Sequence, residues 1–287
     1  MSDTFRFVSR GGIGDALLLT PIFRELKRRD PSCRTIVFAR NGSHYEVFRR
    51  NPHIDVLRRP GWLDPRLAAL RGVVGVPKSA LVELHSLLPS MFYREQASRV
   101  VGSRLGLSID DTQPVLALSP REHEEAAELL RDRAVPVAIH SSAYSSANKN
   151  WRIENWEAFV RENESRSFVQ LGLASEPRVA GTSDLRGLPL RVSFAVIARS
   201  TAFVGVDSGL AHAAVALGVP SVVLFGASNP AVYGHEQSIN LYSRAPCSPC
   251  FEILGSEPCP YGTPCVNDIA VAEVSAALRR LGCWSAA

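Results

Sequence analysis

The sequence lacks any apolar run near the roughly 20 residues that a helix needs to cross a bilayer. Its start, M-S-D-T-F-R-F-V-S-R, also lacks the apolar stretch of a signal peptide. We therefore expect a cytoplasmic protein whose six cysteines stay reduced, as free thiols or metal ligands rather than disulfides. No basic stripe carries interleaved aromatic residues, which argues against a nucleic-acid partner.

The net charge of +4 is small, and it is spread unevenly over the 287 residues. Residues 1–133 hold 21 basic against 16 acidic residues, a net +5, whereas residues 134–287 hold 11 against 12, a net −1. A basic first half would attract a phosphorylated partner or an anionic membrane surface. A solvated, arginine-rich surface is the other interpretation, and charge alone does not separate the two.

Short β-branched runs alternate with helical stretches, which predicts an α/β protein with parallel sheets. The strands predicted in the first half are F-R-F-V-S, R-T-I-V-F-A, A-L-V-E-L-H and P-V-L-A-L. Helices are predicted over residues 16–29, with a kink or restart at Pro21, and over residues 89–105. A charged helix is expected after Ser119, with Pro120 in its first position.

That charged helix marks the predicted junction between two domains, residues 1–120 and 121–287. The second domain repeats the alternation, with strands P-V-A-I-H, S-F-V-Q-L, A-F-V-G-V and S-V-V-L-F and helices from Glu154 and Gly209. Two α/β units in tandem predict a bilobed molecule with a cleft between its lobes. The one long irregular stretch is expected at residues 245–265, which hold four cysteines.

A glycine-rich turn, R-G-G-I-G-D, follows the first predicted strand. Glycines let the backbone turn sharply near a ligand, and the start of a helix favours an anion. The turn is not a dinucleotide fingerprint, because Leu17 occupies the third glycine position, and no Gly-Lys-Ser/Thr follows as in a P-loop. Asp15 lies where open α/β sheets bind ligands, so it is a ligand-binding residue, a helix N-cap or both.

Two polar segments follow strands in the second half. H-S-S-A-Y-S-S-A-N-K-N-W offers small hydroxyl groups and the cation of Lys149, which suit a phosphate, although a polar surface loop would look the same. In V-G-V-D-S-G-L-A-H, the residues Asp207, Ser208 and Gly209 form a turn into a helix whose first turn holds His212. The helix dipole there favours a diphosphate. A capping role would explain one of these polar residues but not the cluster.

At this point a resemblance is apparent. The segments G-G-I-G-D-A-L-L-L-T-P, K-N-W, V-D-S-G-L-A-H-A-A-V-A-L-G-V-P and L-F-G-A-S-N-P resemble those of glycosyltransferase family 9, the heptosyltransferases that use ADP-heptose to extend the lipopolysaccharide inner core. The resemblance implies a GT-B fold, α/β with two Rossmann-like domains facing a cleft. It also implies inverting, metal-independent sugar transfer from a nucleotide-activated donor to an anionic glycan, lipid-linked or protein acceptor.

The resemblance implies roles for individual residues as well. Asp15 is the implied general base, Lys149 contacts the donor diphosphate, and Glu176 is the nearest candidate for holding the ribose. Ser141 and Ser142 replace the family's usual proline and glycine after the fifth strand. The implied substrate-binding residues are Gly12, Gly14, Ser141, Ser142, Lys149, Glu176, Asp207, Ser208, Gly209 and His212.

A metal site is predicted in the tail, because Cys247, Cys250, Cys259 and Cys265 follow a C-x2-C-x8-C-x5-C spacing. Four thiolates complete a tetrahedral shell that suits zinc or iron equally. The resemblance adds that autotransporter-type heptosyltransferases hold iron with cysteines of this kind. Four protein ligands leave no open position, so the metal would be structural and the chemistry would need no cofactor. Reduced thiols packed in a loop are the alternative.

Two rival functions stay open. One is another GT-B enzyme, a transferase or epimerase that uses a UDP-sugar. The other is a non-catalytic subunit that binds a nucleotide sugar, which the short N-terminal half favours and the intact Gly12, Gly14 and Asp15 oppose.

Overall fold

The computed structural model describes residues 3–9, 11–59, 81–83, 93–243 and 245–282. Backbone contacts divide the chain into two compact units, with the first ending at Ala117 and the second beginning at Leu118. Tyr93 and Arg94 group with the second unit. The predicted junction between residues 120 and 121 lies at the start of the next helix. In the described part of the chain, no helix is long and apolar enough to cross a membrane.

The first unit contains a parallel sheet in the order β3-β2-β1-β4. Its strands are β1 (Thr4–Val8), β2 (Arg34–Phe38), β3 (Val56–Arg58) and β4 (Leu81–Glu83). Its helices are α1 (Ile13–Leu18), α2 (Thr20–Arg29), α3 (Gly42–Phe48) and α4 (Ala97–Arg104). Phe7, Phe23 and Phe48 are fully buried and pack edge to face, with ring centroids 5.1 and 5.9 Å apart. These aromatic contacts hold the helices against the sheet.

The predicted restart at Pro21 is confirmed, since α1 ends at Leu18 and α2 begins at Thr20. A proline inside one continuous helix would remove a hydrogen bond and clash with the preceding turn, whereas proline near a helix start costs neither. The strand predicted over residues 114–118 is wrong. Val115 donates its N–H to the Thr20 hydroxyl at 2.7 Å and accepts from the Asn51 amide at 3.4 Å, so side chains take the backbone bonds that a neighbouring strand would make.

The helix predicted over residues 89–105 is shorter in the structure, where α4 covers Ala97–Arg104. Gln96 is its N-cap and accepts from the Ser98 N–H at 2.8 Å, which fixes the start of the helix there. Residues 89–92 lie outside the described residues, as do residues 80, 84 and 85 of the strand predicted around β4.

The second unit contains a parallel sheet in the order β10-β9-β8-β5-β6-β7. Its strands are β5 (Val137–His140), β6 (Phe168–Gln170), β7 (Ser183–Asp184), β8 (Ala202–Val206), β9 (Ser221–Phe225) and β10 (Ser238–Tyr242). The chain runs outward from β5 to β6 and β7, then returns to β8 on the other side of β5. The order therefore reverses between β5 and β8, and ligands of open α/β sheets bind at the carboxyl ends of the strands at such a point.

The helices of the second unit begin with α5 (Pro120–Leu129), α6 (Ile153–Glu162), α7 (Leu190–Ala198) and α8 (Gly209–Ala216). They continue with α9 (Pro230–Tyr233), α10 (Phe251–Leu254), α11 (Pro264–Asn267) and α12 (Val271–Arg280), and a 3₁₀ turn covers Ala147–Lys149. Residues 245–265, predicted to be irregular, thus contain the short helix α10 and the start of α11. Trp156, Phe159 and Phe168 are buried in the core between sheet and helices.

The start of α5 agrees with the sequence prediction. Ser119 is the N-cap, Pro120 takes the first position, and Ser119 and Glu122 form a reciprocal capping box. Both Glu122 oxygens also accept from the buried Arg191 of α7 at 2.8 Å. This bidentate pair fixes α5 against α7.

Candidate functional site

The carboxyl ends of β5 and β8 lie side by side at the reversal point of the second sheet. His140, the last residue of β5, pairs in register with Gly205 of β8. Asp207 and Ser208 follow β8 directly, and Ser141 and Ser142 follow β5. Most of the polar residues predicted for the second domain therefore meet at one edge of one sheet.

A buried ion pair lies at the centre of this edge. The Lys149 Nζ is 2.8 Å from the Asp207 Oδ2, and both side chains are at least nine-tenths buried. Ser228, which follows β9, donates its hydroxyl to the same Oδ2 at 2.6 Å, and the His212 Nε2 lies 3.5 Å from the Oδ1. The structure thus brings Lys149, Asp207 and His212 together, as the sequence predicts, and adds Ser228.

The electrostatics of this cluster keep Asp207 ionised. Burial raises the pKa of Asp207, but the charge of Lys149 and the bond from His212 outweigh burial and hold this pKa well below its ordinary range. The Lys149 ammonium also lies over the Phe251 ring, 4.2 Å from its centroid, a favourable cation–π position. The Lys149 ammonium has three N–H donors, and Asp207 accepts a hydrogen bond from one of them.

His235 supports the far side of this cluster. Its Nε2 lies 2.9 Å from the His212 Nδ1, and the two rings meet edge to face. Burial lowers the pKa of His235 to about 3, so this imidazole is neutral at ordinary pH. Sequence reasoning missed His235 because it belongs to no motif and follows a short helix rather than a strand.

Ser208 occupies the N-cap position of α8, yet its side chain makes no capping bond. Its hydroxyl oxygen lies 2.8 Å from the Nδ1 of His140 instead. The first N–H groups of a helix lack partners inside the helix, and together with the helix dipole they attract an anion. Neither Asp207 nor Ser208 therefore acts as the side-chain cap that was the alternative interpretation, and Gly209 begins the helix beside them.

Glu176 follows β6 and also faces His140. Its Oε2 lies 3.4 Å from the His140 Nε2, and its Oε1 accepts from the Leu173 N–H at 3.0 Å. The Oε2 is buried and accepts no hydrogen bond from the described residues. Gly172 has a φ of +139°, and a Cβ there would approach this oxygen to 2.1 Å, so only glycine leaves room for the carboxylate.

Among the described residues, the two serines after β5, Ser141 and Ser142, form no hydrogen bond with the Lys149–Asp207 pair. Ser141 is buried, and its hydroxyl accepts from the Gln170 amide of β6 at 3.2 Å. Ser142 is half-buried. Ser141 thus ties two strand ends together.

The glycine turn lies in the first unit. Gly12, not Asp15, is the N-cap of α1, and the half-buried Asp15 accepts a hydrogen bond from the Gly12 N–H at 2.7 Å. Because glycine has no side chain, this is the one bond of a capping box that can form here. The expectation that Asp15 itself is an N-cap is therefore wrong. Gly11 has a φ of +76°, and a Cβ there would lie 2.3 Å from the Asp15 carboxylate. Gly14 is half-buried in the first turn of α1.

A buried histidine, His44, contacts the backbone of this turn. The His44 Nδ1 lies 2.7 Å from the Ser9 hydroxyl, and its Nε2 lies 3.0 Å from the Gly11 carbonyl oxygen. Burial lowers the pKa of His44, so it remains neutral and uses one nitrogen as donor and the other as acceptor. Sequence reasoning did not identify His44.

The four tail cysteines are free thiols in the second unit. Burial, with a smaller contribution from the charges of the other three cysteines, raises the pKa of Cys265 to about 11, so the four thiols would act on each other electrostatically. Within the described residues, however, no group of three or more histidine, cysteine or acidic side chains is arranged to hold a metal ion. The predicted zinc or iron site therefore stays a prediction.

Comparison with known proteins identifies the family. The profile of glycosyltransferase family 9 (heptosyltransferase) matches residues 91–260, more than half of the chain. Lipopolysaccharide heptosyltransferase 1 of Pseudomonas aeruginosa is 34% identical over 136 aligned residues, which cover 42% of this chain and 38% of that protein. The chain belongs to glycosyltransferase family 9.

Solved structures agree on the fold. The E. coli ADP-heptose lipopolysaccharide heptosyltransferase II superposes with a TM-score of 0.69 at 17% identity, covering 98% of both chains. The iron-containing dodecameric heptosyltransferase TibC of E. coli, solved with ADP-D-β-D-heptose, has a TM-score of 0.71 at 17% identity, covering 98% of this chain and 77% of that one. The predicted α/β fold of the GT-B type, with two Rossmann-like units, is confirmed.

Proposed function

We propose that this protein transfers heptose from ADP-heptose to a hydroxyl group of a lipopolysaccharide core acceptor, with inversion at the anomeric carbon. The observation that carries the proposal is the buried cluster of Lys149, Asp207, Ser228 and His212 at the β5–β8 reversal point. A buried cation and a helix start at the carboxyl ends of parallel strands suit a diphosphate. Family membership supplies the reaction class.

Lys149 and the first turn of α8 hold the donor diphosphate in this proposal. Asp207 fixes the Lys149 ammonium in place, leaving its other donors for phosphate oxygens. Glu176 offers its buried Oε2 to a ribose hydroxyl, which satisfies an oxygen that accepts no bond from the described residues. Gly209 permits close approach of the backbone, as Gly12 and Gly14 do in the other unit.

Asp15 activates the acceptor. A sugar hydroxyl is a weak acid, so its proton must leave as its oxygen attacks the anomeric carbon, and a carboxylate is a suitable base. The new bond from the acceptor oxygen to that carbon forms as the bond to the diphosphate oxygen breaks, and ADP leaves with the electron pair. Lys149 and the α8 dipole stabilise the charge that grows on the leaving diphosphate.

The relatives support the proposed donor and acceptor. The curated relative is a lipopolysaccharide heptosyltransferase, and the solved structures include an ADP-heptose enzyme and a complex with ADP-heptose. A core acceptor carrying negative charge suits the basic first half of the sequence. The cysteines that the structure describes are free thiols, which supports a cytoplasmic setting, and the same positive charge would favour the inner membrane surface.

Donor selectivity tests the proposal and separates the rival functions. Binding of ADP, ADP-heptose, UDP and UDP-glucose to the purified chain is measured by calorimetry, and nucleotide release is then followed with and without core acceptor. The proposal expects the adenine ligands to bind and ADP release to rise when acceptor is present. Preference for uridine ligands would identify the UDP-sugar alternative. Binding of ADP-heptose without turnover under any condition would identify a non-catalytic subunit.

A further inference from the structure

His140 joins two residues of the proposed donor site that come from different strand ends. Its Nδ1 lies 2.8 Å from the Ser208 hydroxyl oxygen after β8, and its Nε2 lies 3.4 Å from the Glu176 carboxylate after β6. The side chains of His140 and Glu176 are about nine-tenths buried. The ring thus lies between the residues that follow β6 and those that follow β8, at the reversal point of the sheet.

The neutral ring restricts what Ser208 can offer a ligand. A carboxylate has no hydrogen to give, so the attractive arrangement places the ring proton on Nε2, facing Glu176. The Nδ1 is then an acceptor, and the Ser208 hydroxyl donates its only hydrogen to it. Toward a ligand, Ser208 presents lone pairs alone, which phosphate oxygens do not favour.

The protonated ring reverses this arrangement. Both ring nitrogens then carry a proton. The Nε2 faces the Glu176 carboxylate as an ion pair at 3.4 Å, and the Nδ1 donates to the Ser208 oxygen. The Ser208 hydrogen is released and can be donated to a phosphate oxygen. The added positive charge lies next to Glu176 and near the α8 start, where it attracts a diphosphate as well.

We propose that His140 is a positioning residue of the donor site, which takes up a proton when a nucleoside diphosphate binds and so converts Ser208 from an acceptor into a donor. This inference rests on the proposed function, since it requires the diphosphate at Ser208. Glu176 is the charged group in contact with His140. The neighbouring strand ends hold the paired charges of Asp207 with Lys149 and of Asp184 with Arg186.

The test compares ADP affinity across pH in the wild-type chain and in His140→Gln. An imidazole changes charge between about pH 5 and 8, whereas glutamine does not. ADP has its own phosphate titration, but this is common to all variants and cancels in the ratio of their dissociation constants. We expect His140→Gln to bind ADP about tenfold more weakly than the wild type near pH 6, with the difference disappearing near pH 8.5.

Two further variants sharpen the test. His123→Gln, on the half-exposed face of α5, is the matched control and should leave the pH dependence unchanged. Ser208→Ala should remove the same pH-dependent component, and adding His140→Gln to it should change nothing further, which keeps the test informative if His140→Gln alone does not fold. Parallel pH curves for wild type and His140→Gln, or for wild type and Ser208→Ala, would overturn the inference while leaving ADP binding intact. Absence of ADP binding to the wild type would instead sink the proposed function itself.

Discussion

The Lys149 ammonium lies 2.8 Å from the Asp207 carboxylate, with both groups buried at the carboxyl end of β8. Forming such a pair removes two charges from water, so it is weak evidence for a role in stability. Its position at the reversal point of the sheet, beside the start of α8, supports the binding role that we propose for it. Asp207 holds a cation where the donor diphosphate is proposed to bind.

The first prediction concerns this cation. Removing Lys149 alone would leave Asp207 buried without its partner, so the informative variant is the double change Lys149→Met with Asp207→Asn. We expect it to keep the fold and to bind ADP about 10- to 100-fold more weakly, the effect of losing hydrogen bonds to charged groups.

Lys27→Met with Asp55→Asn is the control, because it removes a lysine–aspartate pair of similar distance, 2.7 Å, from the first unit, although that pair is more exposed. Calorimetric titration with ADP provides the measurement. An ADP affinity equal in both double variants would exclude Lys149 from the donor site.

The second prediction separates the two roles of Asp15. An asparagine oxygen can still accept from the Gly12 N–H, so Asp15→Asn should change the free energy of unfolding by less than about 1 kcal/mol. It cannot take a proton, so the rate of transfer should fall by roughly 10²- to 10⁴-fold with ADP affinity unchanged. Normal turnover combined with a loss of stability would show that Asp15 serves only to accept the Gly12 N–H at the start of α1.

The third prediction concerns acid stability. Burial raises the pKa of Glu122, but the hydrogen bonds and charge of Arg191, with the Ser119 N–H, lower it to about 2 from an ordinary 4.5. The carboxylate therefore stabilises the fold fully above about pH 4.5, and this contribution disappears as the pH falls toward 2. Glu122→Gln removes the negative charge that the buried Arg191 contacts through both Glu122 oxygens, and it should cost about 3 kcal/mol at neutral pH.

Glu125→Gln on the same helix is the control, since its pair with Arg121 is largely exposed and should contribute less than about 1 kcal/mol. Denaturant unfolding measured from neutral pH down to about pH 3 distinguishes the two variants. The same acid sensitivity in Glu122→Gln as in the wild type would contradict the assignment of this pH dependence to Glu122.

The fourth prediction concerns the tail cysteines. If Cys247, Cys250, Cys259 and Cys265 close around a structural metal, protein purified without chelator should contain about one zinc or iron per chain. Cys250→Ser should abolish the metal and lower the melting temperature, while Cys33→Ser, at a buried cysteine of the first unit, should keep the metal. Metal-free wild-type protein with stability unchanged by Cys250→Ser would establish that these residues are thiols packed in a loop.

Sequence patterns predicted the strands and turns that carry the site, because a buried parallel strand is a short β-branched run and its polar residues follow at its carboxyl end. β8, α8 and the Lys149–Asp207–His212 constellation were found in this way. The strand predicted at residues 114–118 fails because Thr20 and Asn51, distant in sequence, take its backbone bonds. No local pattern reports such a contact.

Three supporting residues could not be assigned from the sequence, because their roles also depend on contacts with residues distant in the chain. His235 and His44 belong to no recognised spacing, and Ser228 lies in the segment L-F-G-A-S-N-P, where nothing local indicates its contact with Asp207. Each of the three acts through a partner more than 20 positions away in the chain. His140 is the last residue of a predicted strand, so its place at the ligand edge was available, but its contacts with Ser208 and Glu176 depend on the order of strands in the sheet.

The most direct test of heptosyl transfer is the mass of the acceptor. A core acceptor that lacks heptose is incubated with the purified chain and ADP-heptose, and the product is analysed by mass spectrometry beside parallel reactions with Asp15→Asn and with UDP-glucose. We predict that the wild-type chain adds one heptose residue from ADP-heptose, that Asp15→Asn adds almost none in the same time, and that UDP-glucose gives no product. An acceptor of unchanged mass, from wild-type protein that binds ADP-heptose, would contradict the account.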